Sequence, residues 1–227
     1  MRVERIIEVR GNIGLLIERK IVKAVDMESL KSALMSADVR TPILPPNIFY
    51  QKSEDKTTIA MVRDQGIKEV QFLNEPPVRI FLPVRVYFIH SRDNVIGKIQ
   101  QFFSKKIPCK ESDILWHAPF ANRYEDGSIC DAGLNLMNIS TPIAERLDSI
   151  IEQIEATRYN NDLAAIGVSL APREITSLMG PSTNFKHMLL GWAAMTVEKS
   201  VEEMLNLSWH SAGRFGDYLD GYRRRTR

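Results

Sequence analysis

A chain of 227 residues, 44% apolar and 26% charged, has the composition of a globular protein and the length for one large domain or two small ones. Its 30 Lys and Arg against 28 Asp and Glu leave a formal charge of +2, which excludes a strong general attraction to nucleic acid or anionic membrane. No stretch approaches the roughly 18 to 20 continuous apolar residues of a membrane span.

The opening MRVERIIEVRG alternates charged and apolar residues, unlike a signal peptide's unbroken apolar segment, so the expected location is the cytoplasm, where thiols stay reduced. Segments 3–9 and 13–25, VERIIEV and IGLLIERKIVKAV, are rich in β-branched residues around a Gly-Asn turn and predict an antiparallel hairpin. Asp26 suits the cap of a helix over MESLKSALMSA, which TPILPPN ends. IFYQ, TTIAMVR and KEVQFL follow as short strands divided by polar turns, RDQG the clearest.

The longest strand signal is VRIFLPVRVYFIH, in which Pro83 predicts an edge or a bulge. SRDN turns the chain back into VIGKIQQFF, read as the paired strand, although its pattern also fits a helix. Further on, TPIAERLDSIIEQIEATRYNND is the best helix, with Pro142 at its first position and Ile143, Leu147, Ile150, Ile151 and Ile154 on one stripe. LAAIGVSL is a strand or short buried segment, and APREITSLMGPSTN an irregular connection. FKHMLLGWAAMTVEKSVEEMLNL predicts helix from about 185 to 207, weakest at Gly191. LSWHSAGRFGDYLDGY either docks on the core or serves a partner, and the basic YRRRTR end reads as a solvated tail.

Between strands and helix lies WHAPFANRYEDGSIC, which suits neither helix nor core strand. Its EDG turn places Gly127 three positions before Cys130 and Asn122 eight before it. A cysteine just after such a turn can stand at a surface, with an amide nearby to donate to an oxyanion, the minimum for acyl transfer through a thioester. Cys109, in KKIPCKESD, has no supporting motif. The two cysteines lack CxxC spacing, and a disulfide between them stays open. His90, His187 and His210 have no ligand spacing and suggest no metal site.

Asn122, Gly127, Ile129 and Cys130 resemble the active-site segment of ubiquitin-conjugating enzymes at that family's spacing. Phe120-Ala121-Asn122 stands where the family has His-Pro-Asn, His117 and Pro119 lie upstream instead, and Asp131 follows the cysteine in place of Leu. ILPPNIFY, the paired strands around Pro83, LWHAPFANRYEDGSIC and the helix after it are together similar to the prokaryotic ubiquitin-conjugating family D, the type found in PRTRC plasmid cassettes. The resemblance spans about residues 10 to 160 and leaves the last third unassigned.

The resemblance implies an α+β fold, a ubiquitin-conjugating-enzyme-like antiparallel β-meander of about four strands with flanking helices. The chain divides into an N-terminal β-rich extension with one helix (1–75), a core with the Cys loop (76–160) and a C-terminal helical region with a basic tail (161–227). Cys130 would carry a ubiquitin-like protein as a thioester, and Asn122 would steady the tetrahedral oxyanion or brace the loop. Asp126 or Asp131 would help deprotonate the incoming amine. His117 is a base, a replacement for the missing triplet His or a structural hydrogen-bonding residue. No metal or organic cofactor is implied. The implied partners are a ubiquitin-activating-like enzyme of the ThiF type, a ubiquitin-like protein and a metalloprotease of the same cassette, with neither membrane nor nucleic acid. Two alternatives stand beside this: a scaffold of the same fold without chemistry, and a structural protein of a mobile element whose basic tail touches DNA.

Overall fold

The computed structural model describes residues 5–9, 12–17, 20–25, 39–40, 48–53, 56–92, 95–130, 143–160, 162–178 and 184–219. The expected helix after Asp26, the TPILPPN stop, Asp131 and the basic end lie outside the described residues. The architecture is mixed α+β, with mostly antiparallel sheets and several helices. Among the described residues no helix is long and apolar enough to cross a membrane.

The N-terminal segment forms three strands rather than a two-stranded hairpin: β1 (Arg5–Val9), β2 (Asn12–Ile17) and β3 (Lys20–Val25), paired in that order. The long second segment expected over 13–25 supplies two strands, β2 and β3, paired antiparallel to one another.

The main sheet contains β4 (Val39–Arg40), β5 (Ile48–Ser53), β6 (Lys56–Arg63), β9 (Val84–Arg92), β10 (Val95–Ser104), β11 (Ile114–His117) and β12 (Ser211–Arg214). Their order is β12-β11-β10-β9-β6-β5-β4, seven strands where about four were expected. The sheet draws strands from all three expected segments of the chain. β7 (Gly66–Val70) and β8 (Val78–Leu82) pair as a separate ribbon between β6 and β9.

Pro83 explains that excursion. The proline divides the expected single strand into β8 and β9, which belong to different sheets. β9 is no edge strand: it runs between β6 and β10, both antiparallel to it. The ambiguous VIGKIQQFF is strand, with a register shift between Ile96 and Lys98 at Gly97.

The period-2 alternation of β6, β9 and β10 gives the sheet two apolar faces. On one, Ile59, Met61, Tyr87, Ile89, Ile96 and Ile99 pack with Leu147, Ile150, Ile151 and Ile154 of α1 (Ile143–Glu155), the stripe expected from sequence. On the other, Val84, Val86, Phe88, Phe102 and Leu115 meet Phe215 and Leu219 of α6 (Phe215–Leu219). The C-terminal segment therefore docks on the core. β12 joins the sheet edge, and Trp209 stacks on Trp116 with ring centroids 5.7 Å apart.

The third cluster gathers β8, Phe103, Phe120 and the helices α2 (Ala164–Leu170), α3 (Arg173–Ser177), α4 (Phe185–Glu198) and α5 (Val201–Leu205). LAAIGVSL is thus helix α2, not a strand. Its apolar face packs against the 118–121 segment, where Gly167 lets the helix approach so closely that a Cβ would sit 3.0 Å from the Phe120 carbonyl carbon. The segment read as an irregular connection contains α3. The last helical run breaks at Lys199 and Ser200 rather than at Gly191, because Ser200 and Glu203 form a reciprocal capping box that starts α5.

Candidate functional site

Asn122 to Cys130 folds as a tight hairpin. The Cys130 amide donates to the Asn122 carbonyl at 3.0 Å, Tyr124 N–H to Ser128 O at 2.9 Å and Gly127 N–H to Tyr124 O at 2.9 Å. Gly127 turns the chain with φ +79°, and a Cβ there would run into the Phe102 ring. The hairpin continues the β10 edge where β11 leaves it: Ile129 N–H donates to Ile99 O and Gln101 N–H to Gly127 O, each at 2.9 Å. Cys130 is half-buried, Cys109 exposed, and both are free thiols.

Under the hairpin, Arg123 is only 1% exposed. Its Nη1 donates to the Asn122 side-chain oxygen at 2.5 Å and to the Asn122 carbonyl at 3.1 Å, while Nε and Nη2 both donate to Gln101 Oε1, the Nε bond at 2.9 Å. Gln101 Nε2 donates to the Tyr87 hydroxyl at 2.8 Å, Tyr87 to Glu155 Oε1 at 2.9 Å, and Arg85 Nε to the same oxygen at 2.8 Å. A continuous polar relay thus joins the Cys130 hairpin, β10, β9 and α1. Because guanidinium can only donate, the Asn122 atom facing Arg123 must be Oδ1, which makes Nδ2 the amide's donor end. Among the described residues Nδ2 has no hydrogen-bond partner.

Burial governs the protonation of this relay. It pulls the Arg123 guanidinium down, against the opposing influence of Tyr159, Tyr87 and Cys130. Burial raises Tyr87 well above its ordinary range, with Glu155 reinforcing it, and pushes Tyr159 up to about 12. Both phenols are neutral near pH 7.

The remaining sequence candidates sit apart from this relay. Asp126 is exposed, pairs with Lys98 at 2.8 Å and accepts from the Ser128 amide at 2.9 Å and from the Ser128 hydroxyl. Partial burial would raise its carboxyl, but the Lys98 and Ser128 bonds outweigh it and hold the group below the usual carboxylate range, which makes it a weak base. His117 lies on β11, half-buried, with its amide donating to the His210 carbonyl at 3.0 Å and its ring 6.4 Å from Phe102. Phe120 is buried, stacks on Tyr159 at 4.9 Å and lies 5.8 Å beneath the Arg123 guanidinium.

The sequence reading missed Arg123, Gln101, Tyr87, Glu155 and Arg85. An arginine inside a polar turn ordinarily faces water, and nothing in the NRYED segment signals otherwise. The regular alternation of β9 and β10 was the available clue, since it sends Arg85, Tyr87 and Gln101 to the face that α1 covers.

No protein family, curated protein or solved structure matches this sequence.

Proposed function

We propose that the chain is a ubiquitin-conjugating-like transferase of the kind represented by protein B of the PRTRC system, with β9, β10 and β11, the Cys130 hairpin and α1 as its conjugating-type core. The observation that carries the reading is the pairing of a half-buried free thiol with Asn122 across a braced hairpin, the asparagine's donor end set by Arg123.

In this reading the Cys130 thiolate attacks the thioester carbonyl of a ubiquitin-like protein on a ThiF-type activating enzyme, and that enzyme's thiolate leaves. An amine then attacks the Cys130 thioester. Asn122 Nδ2 donates to the tetrahedral oxyanion, a contact typically worth about 100-fold to 1000-fold in rate. Collapse forms the amide and releases the Cys130 thiolate, and the amine's proton passes to solvent or to a base. The buried relay supports this by fixing the hairpin before substrate arrives.

The weak basicity of Asp126 favours a second reading, in which the same surface holds a ubiquitin-like protein without turning it over. A non-reducing gel with the cognate activating enzyme and modifier separates the two. An adduct cleaved by thiol and lost in Cys130→Ser but kept in Cys109→Ser supports the transferase. Binding of the modifier with no adduct leaves a scaffold.

A further inference from the structure

A cavity of about 40 Å³ lies between β7, β9, β10 and α1, and Cys130 is not one of its lining residues. Arg85 and Arg123, 2% and 1% exposed, supply its buried cationic wall, and Val70, Leu82, Phe120 and Ile154 its apolar wall. Exposed Lys68 and Glu69 stand at its rim and offset one another.

Arg123 is satisfied by Gln101 and Asn122. Arg85 is not: Nε is taken by Glu155, while Nη1 is buried with no hydrogen-bond partner among the described residues. A buried, unsatisfied donor on a charged group is costlier than one on a neutral group. The charges are also unequal. Two guanidiniums face one carboxylate, Glu155, and Tyr87 and Tyr159 are neutral, so the buried set carries one uncompensated positive charge.

Size limits the occupant. A water needs roughly 10–15 Å³ of such space, which leaves room for about three waters. A halide or a carboxylate head fits; a nucleotide phosphate chain does not. We propose that this cavity binds a small monovalent anion, of halide or carboxylate size, on the free Nη1 edge of Arg85. The apolar wall suits a carboxylate with a short aliphatic stem, and a planar carboxylate matches guanidinium geometry. The ligand is either a free small acid or the carboxyl end of a peptide.

Thermal unfolding of the full chain tests this, at constant ionic strength, with sodium acetate or bromide replacing the sodium salt of a bulky sulfonate. A saturable rise in Tm with acetate and bromide, absent with the sulfonate, is expected. In bromide-soaked crystals an anomalous peak is expected within hydrogen-bond reach of Arg85 Nη1. N-acetylglycine against acetate separates a chain terminus from a free ion: stabilisation at lower concentration by N-acetylglycine points to the peptide end, and by acetate to the free acid. The double variant Arg85→Met/Glu155→Gln removes the site without stranding a carboxylate and should abolish the anion effect, while Lys68→Ala at the rim should weaken it several-fold. Equal Tm in all three anions, a crystal with water alone in the cavity, or an anion effect kept in the double variant would each overturn the proposal.

Discussion

Asn122 and Cys130 are joined by a single backbone hydrogen bond of 3.0 Å across a hairpin, and the Asn122 side chain is turned by its own neighbour, Arg123. The position of the thiol relative to the amide therefore depends on a residue buried beneath both.

Removing that residue should loosen the loop and the fold together. Arg123→Met strands Gln101 Oε1 and Asn122 Oδ1, two neutral acceptors, and leaving a buried neutral acceptor unsatisfied typically costs about 1–3 kcal/mol. Arg123→Lys should recover little, because a single ammonium cannot span both partners. Urea unfolding of both variants checks this; a midpoint equal to wild type for either would show that the relay is not supporting the hairpin.

Gly127→Ala should be destabilising by about 2–4 kcal/mol, combining left-handed backbone strain with overpacking against Phe102. Truncation of the ring in the double variant Gly127→Ala/Phe102→Leu should relieve the clash but not the strain. A double-mutant cycle in denaturant measures the coupling, and additivity of the two changes would contradict the close approach.

The two thiols should react differently. Both are free, so the native protein should titrate as two equivalents of thiol with an aromatic disulfide reagent, without prior reduction. Exposed Cys109 should react first and half-buried Cys130 more slowly, so Cys109→Ser should delete the fast phase. A protein that needs reductant before it reacts would contradict this.

Acid should weaken the fold in two separate windows. His90 is buried between Thr58 and Gln100, and burial lowers its pKa from 6.5 to about 4. Gln100 Nε2 donates to the Asp126 carbonyl at 2.6 Å, so its Oε1 accepts from His90 Nε2, and the lowered pKa keeps the ring neutral in the fold near pH 7. Between the two pKa values the unfolded chain binds the extra proton, so stability is full above pH 6.5 and falls as pH drops towards 4, by about 3 kcal/mol. Asp126, whose folded pKa is depressed, contributes stability above its unfolded pKa that is lost at lower pH still. Stability measured from pH 8 to 3 should show the upper window vanish in His90→Gln while the lower one persists.

Local sequence determined the elements whose signal lies in their own spacing. The α1 stripe from Leu147 to Ile154, the β9–β10 pair and the turn before Cys130 were legible because helical period, strand period and glycine chemistry act over a few residues. LAAIGVSL was ambiguous because a short apolar run fits either period, and only packing against the 118–121 segment made it helix. The seven-stranded sheet was hidden for a similar reason: β12 pairs with β11 across nearly a hundred residues, a distance over which composition carries no pairing information. Cys130, Asn122 and Gly127 were visible as a motif, whereas burial of Arg123 and Arg85 was not. Whether a guanidinium lies in water or beneath a hairpin is decided by which strand face α1 covers and which carboxylate it brings, and those are facts of tertiary structure alone.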